Sequence, residues 1–223
     1  MSLRHEVKIE INNADLIILR SRIAAAASPD TNAENGLYFI RSLYFDTPDD
    51  RALYEKLDGV NEREKFRIRF YNFNTDFIRL EKKSKKNGLS NKESAVITKE
   101  QAELILGGDT AKLYDCSQPL VNELCLKMKT TLLRPRTVVD YRREAFVYAP
   151  GNVRITFDSD IRTGVYNTAL FGRELVTVPV PGRPMLLEVK WDGFLPDVIR
   201  SAVFIDNRRA AAFSKYAQSR FYG

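Results

Sequence analysis

Charged residues occupy every second position in several stretches of this chain, and most of these charges are positive. In the segment 62–71 the basic residues Lys65, Arg67 and Arg69 alternate with apolar ones. Because side chains on a β-strand point alternately to its two faces, the three bases share one face. The same alternation recurs in the segments 4–9, 77–85 and 187–191. If several such strands curve so that this face points inward, they form a tunnel lined with cations and a few carboxylates, which suits a polyanion with a metal ion.

A simpler interpretation applies to each strand taken alone. Alternating charge on one strand usually means an antiparallel strand with one wet face and one dry face. Solvation does not, however, require arginines at successive positions of the same face. Arginine matches phosphate oxygens with a planar fork of donors, and lysine adds point charge. The strands taken together therefore favour an anion site over a solvated face.

The composition excludes several other classes of protein. The chain of 223 residues carries 35 basic and 29 acidic ones, and its hydrophobic content of 44% is that of an ordinary globular protein. One histidine, His5, and two cysteines, Cys116 and Cys125, give little support to a zinc site, a Ser-His-Asp triad or a disulfide scaffold. The sequence has no signal-peptide pattern and no stretch of about 18 apolar residues that could span a membrane. We therefore expect a cytoplasmic protein.

Strand and helix patterns are interspersed along the chain. Period-two stretches predict strands at about 3–11, 37–45, 62–72, 75–85, 91–96, 134–148, 152–158 and 184–191, with 134–148 forming either two strands or one long bent strand. Capping residues, among them Asn12 or Asn13, Thr47 and Thr98, predict helices at about 13–27, 48–57, 98–107, 117–130, 196–204 and 211–221. Since no linker or repeat divides the chain, we predict a single α+β domain over residues 1–223. Its helices would cover the outer apolar faces of a closed antiparallel β-barrel that forms a tunnel.

Several residues on the charged faces are candidate phosphate ligands. Arg67 and Arg69 lie two strand residues apart, roughly 6.5–7 Å, which suits neighbouring phosphates of one chain. A surface ladder of charges with Glu62 and Glu64 is the alternative for these two arginines. Further candidates, on neighbouring strands and on the two arms of a hairpin, are Lys83, Lys92, Tyr141, Arg143 and Arg154. For Arg143 the alternative is that it and Arg142 solvate an edge of the sheet.

Carboxylates decide between an enzyme and an anion-binding module. Phosphoryl transfer needs Mg²⁺ or Mn²⁺, hard ions that bind oxygen ligands and substrate phosphates. Glu188 lies in the apolar run 185–189, where a surface role is hard to explain, and shares a strand face with Lys190. Glu188 is therefore the main predicted metal ligand. Glu6 and Glu81 are weaker candidates, and each could instead be a salt-bridge partner that keeps nearby lysines oriented.

Other nucleotide-binding classes are not indicated. The chain lacks the motifs G-x-x-x-x-G-K-[ST], G-x-G-x-x-G, H-R-D and D-F-G, which argues against P-loop ATPases, Rossmann enzymes and protein kinases. Along the basic strands the aromatic side chains point to the face opposite the bases, whereas base stacking needs both on one face. We therefore expect no sequence-specific binding of nucleic acid.

Eight short motifs occur in order along nearly the whole chain. They are R-H-E-V-K (Arg4–Lys8), S-L-Y-F-D-T-P (Ser42–Pro48), K-F-R-I-R-F-Y (Lys65–Tyr71), R-L-E-K-K (Arg79–Lys83), Y-R-R-E-A-F (Tyr141–Phe146), R-I-T-F-D (Arg154–Asp158), L-E-V-K (Leu187–Lys190) and F-S-K-Y (Phe213–Tyr216). Together they resemble the VTC domain, the polyphosphate-polymerase branch of the triphosphate tunnel metalloenzymes. The resemblance implies a β-barrel tunnel that binds triphosphate and, as in eukaryotic members, transfers the γ-phosphate of ATP to inorganic polyphosphate with a divalent metal.

These considerations give one set of predicted site residues. We predict that Arg67, Arg69, Lys83 and Glu188 act in catalysis, and that Glu188 and Glu6 bind the metal, Mn²⁺ or Mg²⁺. Phosphate binding is predicted for Lys190 and, as the resemblance implies, for Lys8, Lys56, Arg67, Arg69, Lys83, Lys92, Tyr141, Arg143, Arg154 and Lys215.

The chain departs from the wider tunnel superfamily at one position. Members of that superfamily open with E-x-E-x-K, whereas Arg4 stands here in place of the first glutamate. The change removes a metal ligand or water-activating base and adds a phosphate clamp, which favours transfer to phosphate over hydrolysis. The leading prediction is a polyphosphate polymerase, and by the same resemblance a complex with membrane-protein partners is expected. The alternatives are a hydrolase of tripolyphosphate or nucleoside triphosphates, and a non-catalytic module that binds polyphosphate or inositol phosphates.

Overall fold

The computed structural model describes residues 4–33, 36–87, 89–113 and 117–222, so that Cys116 lies outside the described residues. The strands are β1 (Arg4–Ile11), β2 (Ser28–Pro29), β3 (Leu37–Asp46), β4 (Arg63–Tyr71), β5 (Asn74–Lys86), β6 (Leu89–Ile97), β7 (Arg134–Tyr148), β8 (Val153–Thr163), β9 (Val178–Pro179) and β10 (Met185–Asp192). The α-helices are α1 (Asn13–Ala26), α2 (Arg51–Leu57), α3 (Lys99–Gly107), α4 (Pro119–Thr130), α5 (Asp197–Val203) and α6 (Lys215–Ser219). Short 3-10 helices cover Thr110–Leu113 and Pro150–Asn152.

The chain divides into two compact units, each built from three segments. The first unit comprises Met1–Phe39, Tyr141–Ile161 and Pro179–Ser214. The second unit comprises Ile40–Asp140, Arg162–Val178 and Lys215–Gly223. Strands β3, β7, β8 and β9 contribute residues to both units. A single domain over 1–223 stays a prediction.

In the first unit the strands follow the order β1-β10-β8-β7, and the two registered strand pairs of that order are antiparallel. The register places Glu6 opposite Lys190 and Lys8 opposite Glu188, so that these four side chains share one face. The opposite face is apolar and forms a core with helices α1 and α5. Members of this core include Leu19, Ile23, Phe157, Leu187, Val189 and Ile199.

In the second unit the strand order is β7-β3-β4-β5-β6, and each neighbouring pair from β3 to β6 is antiparallel. The apolar phase of β4 and β5, with Phe66, Ile68 and Leu80, packs against helices α3 and α4. The other phase carries the bases. The prediction that helices cover the apolar faces is therefore confirmed within each unit. Antiparallel pairing in an α+β fold is also confirmed, whereas closure of the strands into a barrel is not shown and stays a prediction.

Helix boundaries follow the capping chemistry at two of the three predicted starts. Asn12 and Thr98 are N-caps whose side chains accept hydrogen bonds from the third helical amide, and both form reciprocal capping boxes. The prediction that Thr47 caps a helix beginning at Pro48 is wrong, because α2 begins at Arg51. The buried carboxylate of Asp46 accepts the amides of Ala52 and Leu53 at 2.8 and 3.1 Å, and thereby fixes the later start.

Two further boundaries differ from the prediction. The last helix, expected over about 211–221, extends only from Lys215 to Ser219. Strand β8 continues to Thr163 rather than ending near Asp158, because Ile161 and Thr163 remain buried. None of the helices in the described part of the chain has both the length and the apolar character needed to cross a membrane.

Candidate functional site

The first unit contains a buried glutamate surrounded by cations. Glu188 lies on β10, where its side chain is only 7% exposed. Its Oε1 is 2.9 Å from Nζ of Lys190 and 3.9 Å from Nζ of Lys8, and its Oε2 is 3.3 Å from Nη2 of Arg143. Burial alone would raise the pKa of Glu188, but the positive charges of Lys190, Arg143 and Lys8 hold the pKa well below its usual range. Glu188 is therefore ionised at neutral pH.

Two further carboxylates complete this group, which we call the Glu188 cluster. Arg143 donates to both carboxylate oxygens of Asp158, at 2.6 and 2.7 Å, and its guanidinium lies 5.5 Å from the ring centroid of Tyr141. Oε1 of Glu6 lies 3.6 Å from Nζ of Lys8 and 3.2 Å from Nζ of Lys190. Three cations (Lys8, Arg143, Lys190) thus face three carboxylates (Glu6, Asp158, Glu188), and the formal charges sum to zero.

Arg154 occupies the same strand face but has a different partner. It lies opposite Lys190 in the register of β8 and β10. Its Nη2 is 2.7 Å from Oδ2 of Asp30, whose carboxylate is itself held by Asn32. Burial and the hydrogen bond to Asp30 raise the pKa of Tyr38 to about 12, so that Tyr38 keeps its proton. Arg154 is thus oriented by the loop after β2.

The carboxylate pair of this cluster has the donor chemistry of a divalent-cation site. Glu6 and Glu188 converge on the same two ammonium groups, those of Lys8 and Lys190, so that a cation already lies between the two acids. Among the described residues, no group of three or more His, Cys, Asp and Glu side chains could enclose a metal. Mg²⁺ usually takes only one or two carboxylates and completes its shell with substrate phosphates and water. The pair fits that mode, provided that the two lysines turn toward the phosphates; metal binding stays a prediction.

The second unit contains a second buried glutamate with three cations, which we call the Glu81 cluster. Oε2 of Glu81 is 2.8 Å from Nε and 2.7 Å from Nη2 of Arg67. Its Oε1 is 3.1 Å from Nη2 of Arg69 and 2.6 Å from Nζ of Lys92. The glutamate is fully buried, and its one negative charge faces three positive charges, which leaves a formal excess of two.

Electrostatics in the Glu81 cluster follow from this imbalance. Burial would raise the pKa of Glu81, but Arg67, Arg69 and Lys92 hold the pKa well below its usual range. Burial lowers the pKa of Lys92, and the two arginines lower it further against the opposing effect of Glu81. Glu81, a weaker metal candidate from the sequence, thus takes its alternative role as a salt-bridge partner. Because its two oxygens bind cations from β4 and β6, it fixes their side chains in place.

The neighbouring bases extend this charged face of β4, β5 and β6. Lys83 lies opposite both Lys65 on β4 and Lys92 on β6. Cations placed directly opposite one another on a sheet repel, so an arrangement of this kind favours a bound anion. We call this surface, with Lys65, Arg67, Arg69, Glu81, Lys83 and Lys92, the Glu81 face.

Sequence reasoning missed several residues that support Arg67. The Tyr44 hydroxyl accepts a hydrogen bond from Nη1 of Arg67 at 3.1 Å, and the Tyr44 ring stacks on Tyr216. Tyr216 donates to Oδ2 of Asp46 at 2.5 Å. Burial and the Asp46 charge raise the pKa of Tyr216 far above its usual value, so that it remains a donor. The motifs S-L-Y-F-D and F-S-K-Y contain these three residues, but nothing in either motif alone indicates that they meet.

The two remaining predicted phosphate ligands lie on helices of the second unit. Lys56 is near the end of α2 and Lys215 begins α6, and these helices contact each other. Arg220 anchors the chain after α6, since it donates to both oxygens of Asp50 at 2.7 and 2.9 Å. The contacts of Lys56 and Lys215 with phosphate stay a prediction.

Comparison with solved structures finds matches that cover most of this chain. HpAC1 from Hippeastrum, reported to have a dominant triphosphatase activity, matches with a TM-score of 0.55 and 15% identity, over 96% of this chain and 94% of that chain. PH1012 from Pyrococcus horikoshii matches with a TM-score of 0.45 and 14% identity, over 91% of this chain and 85% of that chain. The first likeness shows a shared fold.

Sequence comparison identifies the family. A search of curated proteins found no match. The model of the VTC domain, in contrast, matches residues 3–221, essentially the entire chain and all eight motifs. This protein therefore belongs to the VTC domain family.

Proposed function

We propose that this protein binds a triphosphate and transfers its terminal phosphoryl group to a growing chain of inorganic polyphosphate. The observation that carries the proposal is the Glu81 cluster, where three cations meet one buried carboxylate. Partly buried cations in excess need counter-charge, and phosphate oxygens match the guanidinium fork. Membership in the VTC domain family supports the same assignment.

Arg67 and Arg69 would act chiefly by position. Their guanidinium groups are held by Glu81 before any ligand arrives, so little side-chain entropy is lost on binding. Phosphoryl transfer requires in-line placement of donor and acceptor and neutralisation of charge on the transferred group. A terminal phosphate oxygen of the chain is already ionised, so that no general base is required.

The carboxylates Glu188 and Glu6 would hold Mg²⁺ or Mn²⁺ together with phosphate oxygens. When bound, such an ion neutralises charge on the phosphates and orients them. Lys8 and Lys190 now contact both acids, and in the loaded enzyme they would turn to the phosphates. Closure of the strands into a tunnel, ATP as donor and a complex with membrane proteins belong to the same proposal.

An assay of both products tests this function. The purified protein is incubated with ATP and Mn²⁺ or Mg²⁺, and free phosphate and long-chain polyphosphate are measured together. We expect polyphosphate from the wild type and none from Glu188→Gln, which should still bind tripolyphosphate in the absence of metal. A matched control is Glu103→Gln, which removes one negative charge from an exposed glutamate on α3.

The same assay distinguishes the alternatives. Free phosphate without polyphosphate would identify a triphosphatase, the activity reported for HpAC1. Binding of tripolyphosphate with no turnover in any metal would identify a binding module and overturn the enzyme.

A further inference from the structure

Three rows of side chains cross the Glu81 face, each in register across neighbouring strands. The middle row contains Tyr44, Arg67 and Glu81. A second row, toward the turn between β5 and β6, contains Lys65, Lys83 and Lys92. The third row, toward the turn between β4 and β5, contains Ser42, Arg69 and Arg79. We call the third row the Arg79 row.

The Arg79 row places two arginines directly opposite each other. Arg69 on β4 pairs with Arg79 on β5, and like charges in this position repel. Arg69 has the carboxylate of Glu81 as a partner at 3.1 Å. The guanidinium of Arg79, in contrast, has no carboxylate within 4.0 Å among the described residues, and its Cζ lies 4.7 Å from the centroid of the Phe77 ring.

In this row Oγ of Ser42, a residue with no exposed surface, and Nε of Arg79 are buried without a hydrogen-bond partner in the described part of the chain. Buried donors are nearly always satisfied, and leaving one unpaired is costly. Ser42 and Arg79 lie opposite Arg69 on the two neighbouring strands and on the same face, so the two unpaired donors lie on either side of the Arg69 side chain. An acceptor that carries negative charge suits donors of this kind, because two positive charges lie beside them.

We propose that the Arg79 row is a further phosphate subsite, in which Arg79, Arg69 and the Ser42 hydroxyl hold one phosphoryl group of a linear polyphosphate. The inference rests on the proposed function and extends it, because it identifies the bound ligand as a chain longer than the group held by the middle row. Successive rows are separated by two strand residues, roughly 6.5–7 Å. A chain along the strands therefore contacts all three rows, whereas a short anion held at the middle row does not reach Arg79.

The test compares Arg79→Gln with the exposed-charge control Arg200→Gln. Affinity is measured by titration calorimetry, without metal, for long-chain polyphosphate and for pyrophosphate. We expect Arg79→Gln to bind the long chain about tenfold or more weakly, as for one lost charged hydrogen bond, and to bind pyrophosphate as the control does. Ser42→Ala should weaken long-chain binding in the same selective way, by a smaller factor.

Stability in the absence of ligand provides the second measurement. Because Arg79→Gln removes a like-charge contact and Ser42→Ala removes an orphan hydroxyl, we expect neither to lower the urea midpoint. A purely structural role predicts the reverse, a lower midpoint with unchanged affinity, and that result would overturn the proposal. So would equal long-chain affinities of Arg79→Gln and Arg200→Gln.

These experiments distinguish a failure of the Arg79 subsite from a failure of the proposed polymerase activity. If long-chain binding depends on Arg79 but no transfer occurs with ATP and metal, the subsite stands and the polymerase activity fails. If the wild type makes polyphosphate while Arg79→Gln binds and elongates it normally, the activity stands and the subsite fails. A wild type that binds no polyphosphate overturns both.

Discussion

The Glu188 cluster and the Glu81 cluster share a plan but differ in charge. Each has a glutamate that contacts three cations, with side chains 7% exposed for Glu188 and 0% for Glu81. In the Glu188 cluster Glu6 and Asp158 bring the carboxylates to three and balance the cations. In the Glu81 cluster one carboxylate contacts three cations, so the formal charge of the cluster is two positive units.

This difference separates two kinds of chemistry. A balanced cluster is satisfied without ligand and offers carboxylate oxygens to a metal once its lysines move. A cluster in which cations outnumber the carboxylate attracts an added anion, because nearby negative charge stabilises positive charge that is partly removed from water. We therefore expect the second unit to contribute most of the affinity for phosphate, and the carboxylates of the first unit to contribute mainly to turnover.

The largest expected effect is that of Glu81→Gln. The substitution leaves Arg67 and Arg69 buried without their carboxylate, and breaking a buried ion pair in this way costs about 3–5 kcal/mol of unfolding free energy. Glu188→Gln should cost less, since Lys8 and Lys190 keep Glu6. Urea unfolding at neutral pH and low salt measures both.

The control for this comparison is Glu103→Gln, at an exposed glutamate on α3 that pairs with Lys99. An exposed pair of this kind contributes about 0–1 kcal/mol. If Glu81→Gln were no more destabilising than Glu103→Gln, the central role of Glu81 would be wrong. Tripolyphosphate should restore stability to Glu81→Gln more than to Glu188→Gln, because the added anion replaces the lost charge.

Arg67→Ala should have the next largest effect, on binding. Loss of one charged hydrogen-bonding group weakens tripolyphosphate binding by about 1.5–3 kcal/mol. Titration calorimetry without metal measures it against Arg200→Ala, which removes an exposed arginine. Unchanged affinity in Arg67→Ala would contradict the assignment of phosphate binding to the Glu81 face.

Much of the fold could be predicted from the sequence, because the strands have two chemically distinct faces. The alternation of Lys65, Arg67 and Arg69 with apolar residues predicts the faces of β4, and the structure confirms that its apolar phase packs on helices. Asn12 and Thr98 likewise predict the starts of α1 and α3. These features depend on residues close in sequence, where periodicity and capping act directly.

The partners within the candidate site could not be predicted in the same way. The pairing of Glu81 with Lys92 depends on the register of β5 with β6, and a one-residue slip would turn either side chain to the other face. The contact of Tyr216 with Asp46 joins residues separated by 170 positions. Thr47 and Pro48 form a typical helix start, but the buried carboxylate of Asp46 accepts the amides of Ala52 and Leu53 and caps a helix that begins at Arg51.

Low pH should reduce the free energy of unfolding through both Glu81 and Glu188, because both have depressed pKa values in the folded protein. Each pKa in the folded protein is depressed below the ordinary value of 4.5, so the unfolded chain binds more protons in the window below that pH. The stabilisation is complete above pH 4.5 and is lost as the pH falls toward the folded pKa values. The expected slope is up to about 1.4 kcal/mol per pH unit for each group.

Urea unfolding from about pH 5 to about pH 3 measures this slope. Glu81→Gln and Glu188→Gln should each show a shallower decline than the wild type, since each lacks one of the titrating groups. A slope in Glu81→Gln as steep as in the wild type would mean that the carboxylate of Glu81 is not held ionised by its three cations.

Tyr44→Phe should have the smallest effect. It removes the hydroxyl that accepts from Arg67 at 3.1 Å but keeps the ring that stacks on Tyr216, and Arg67 keeps both contacts with Glu81. The loss of one hydrogen bond should weaken tripolyphosphate binding by about 0.5–1.5 kcal/mol, less than Arg67→Ala.

The matched variant in the other cluster is Tyr141→Phe, since Arg143 lies over the Tyr141 ring and is already fixed by Asp158. We expect Tyr141→Phe to change affinity less than Tyr44→Phe, and a larger loss in Tyr141→Phe would show that the first unit, despite its balanced charges, holds the phosphates as firmly as the second.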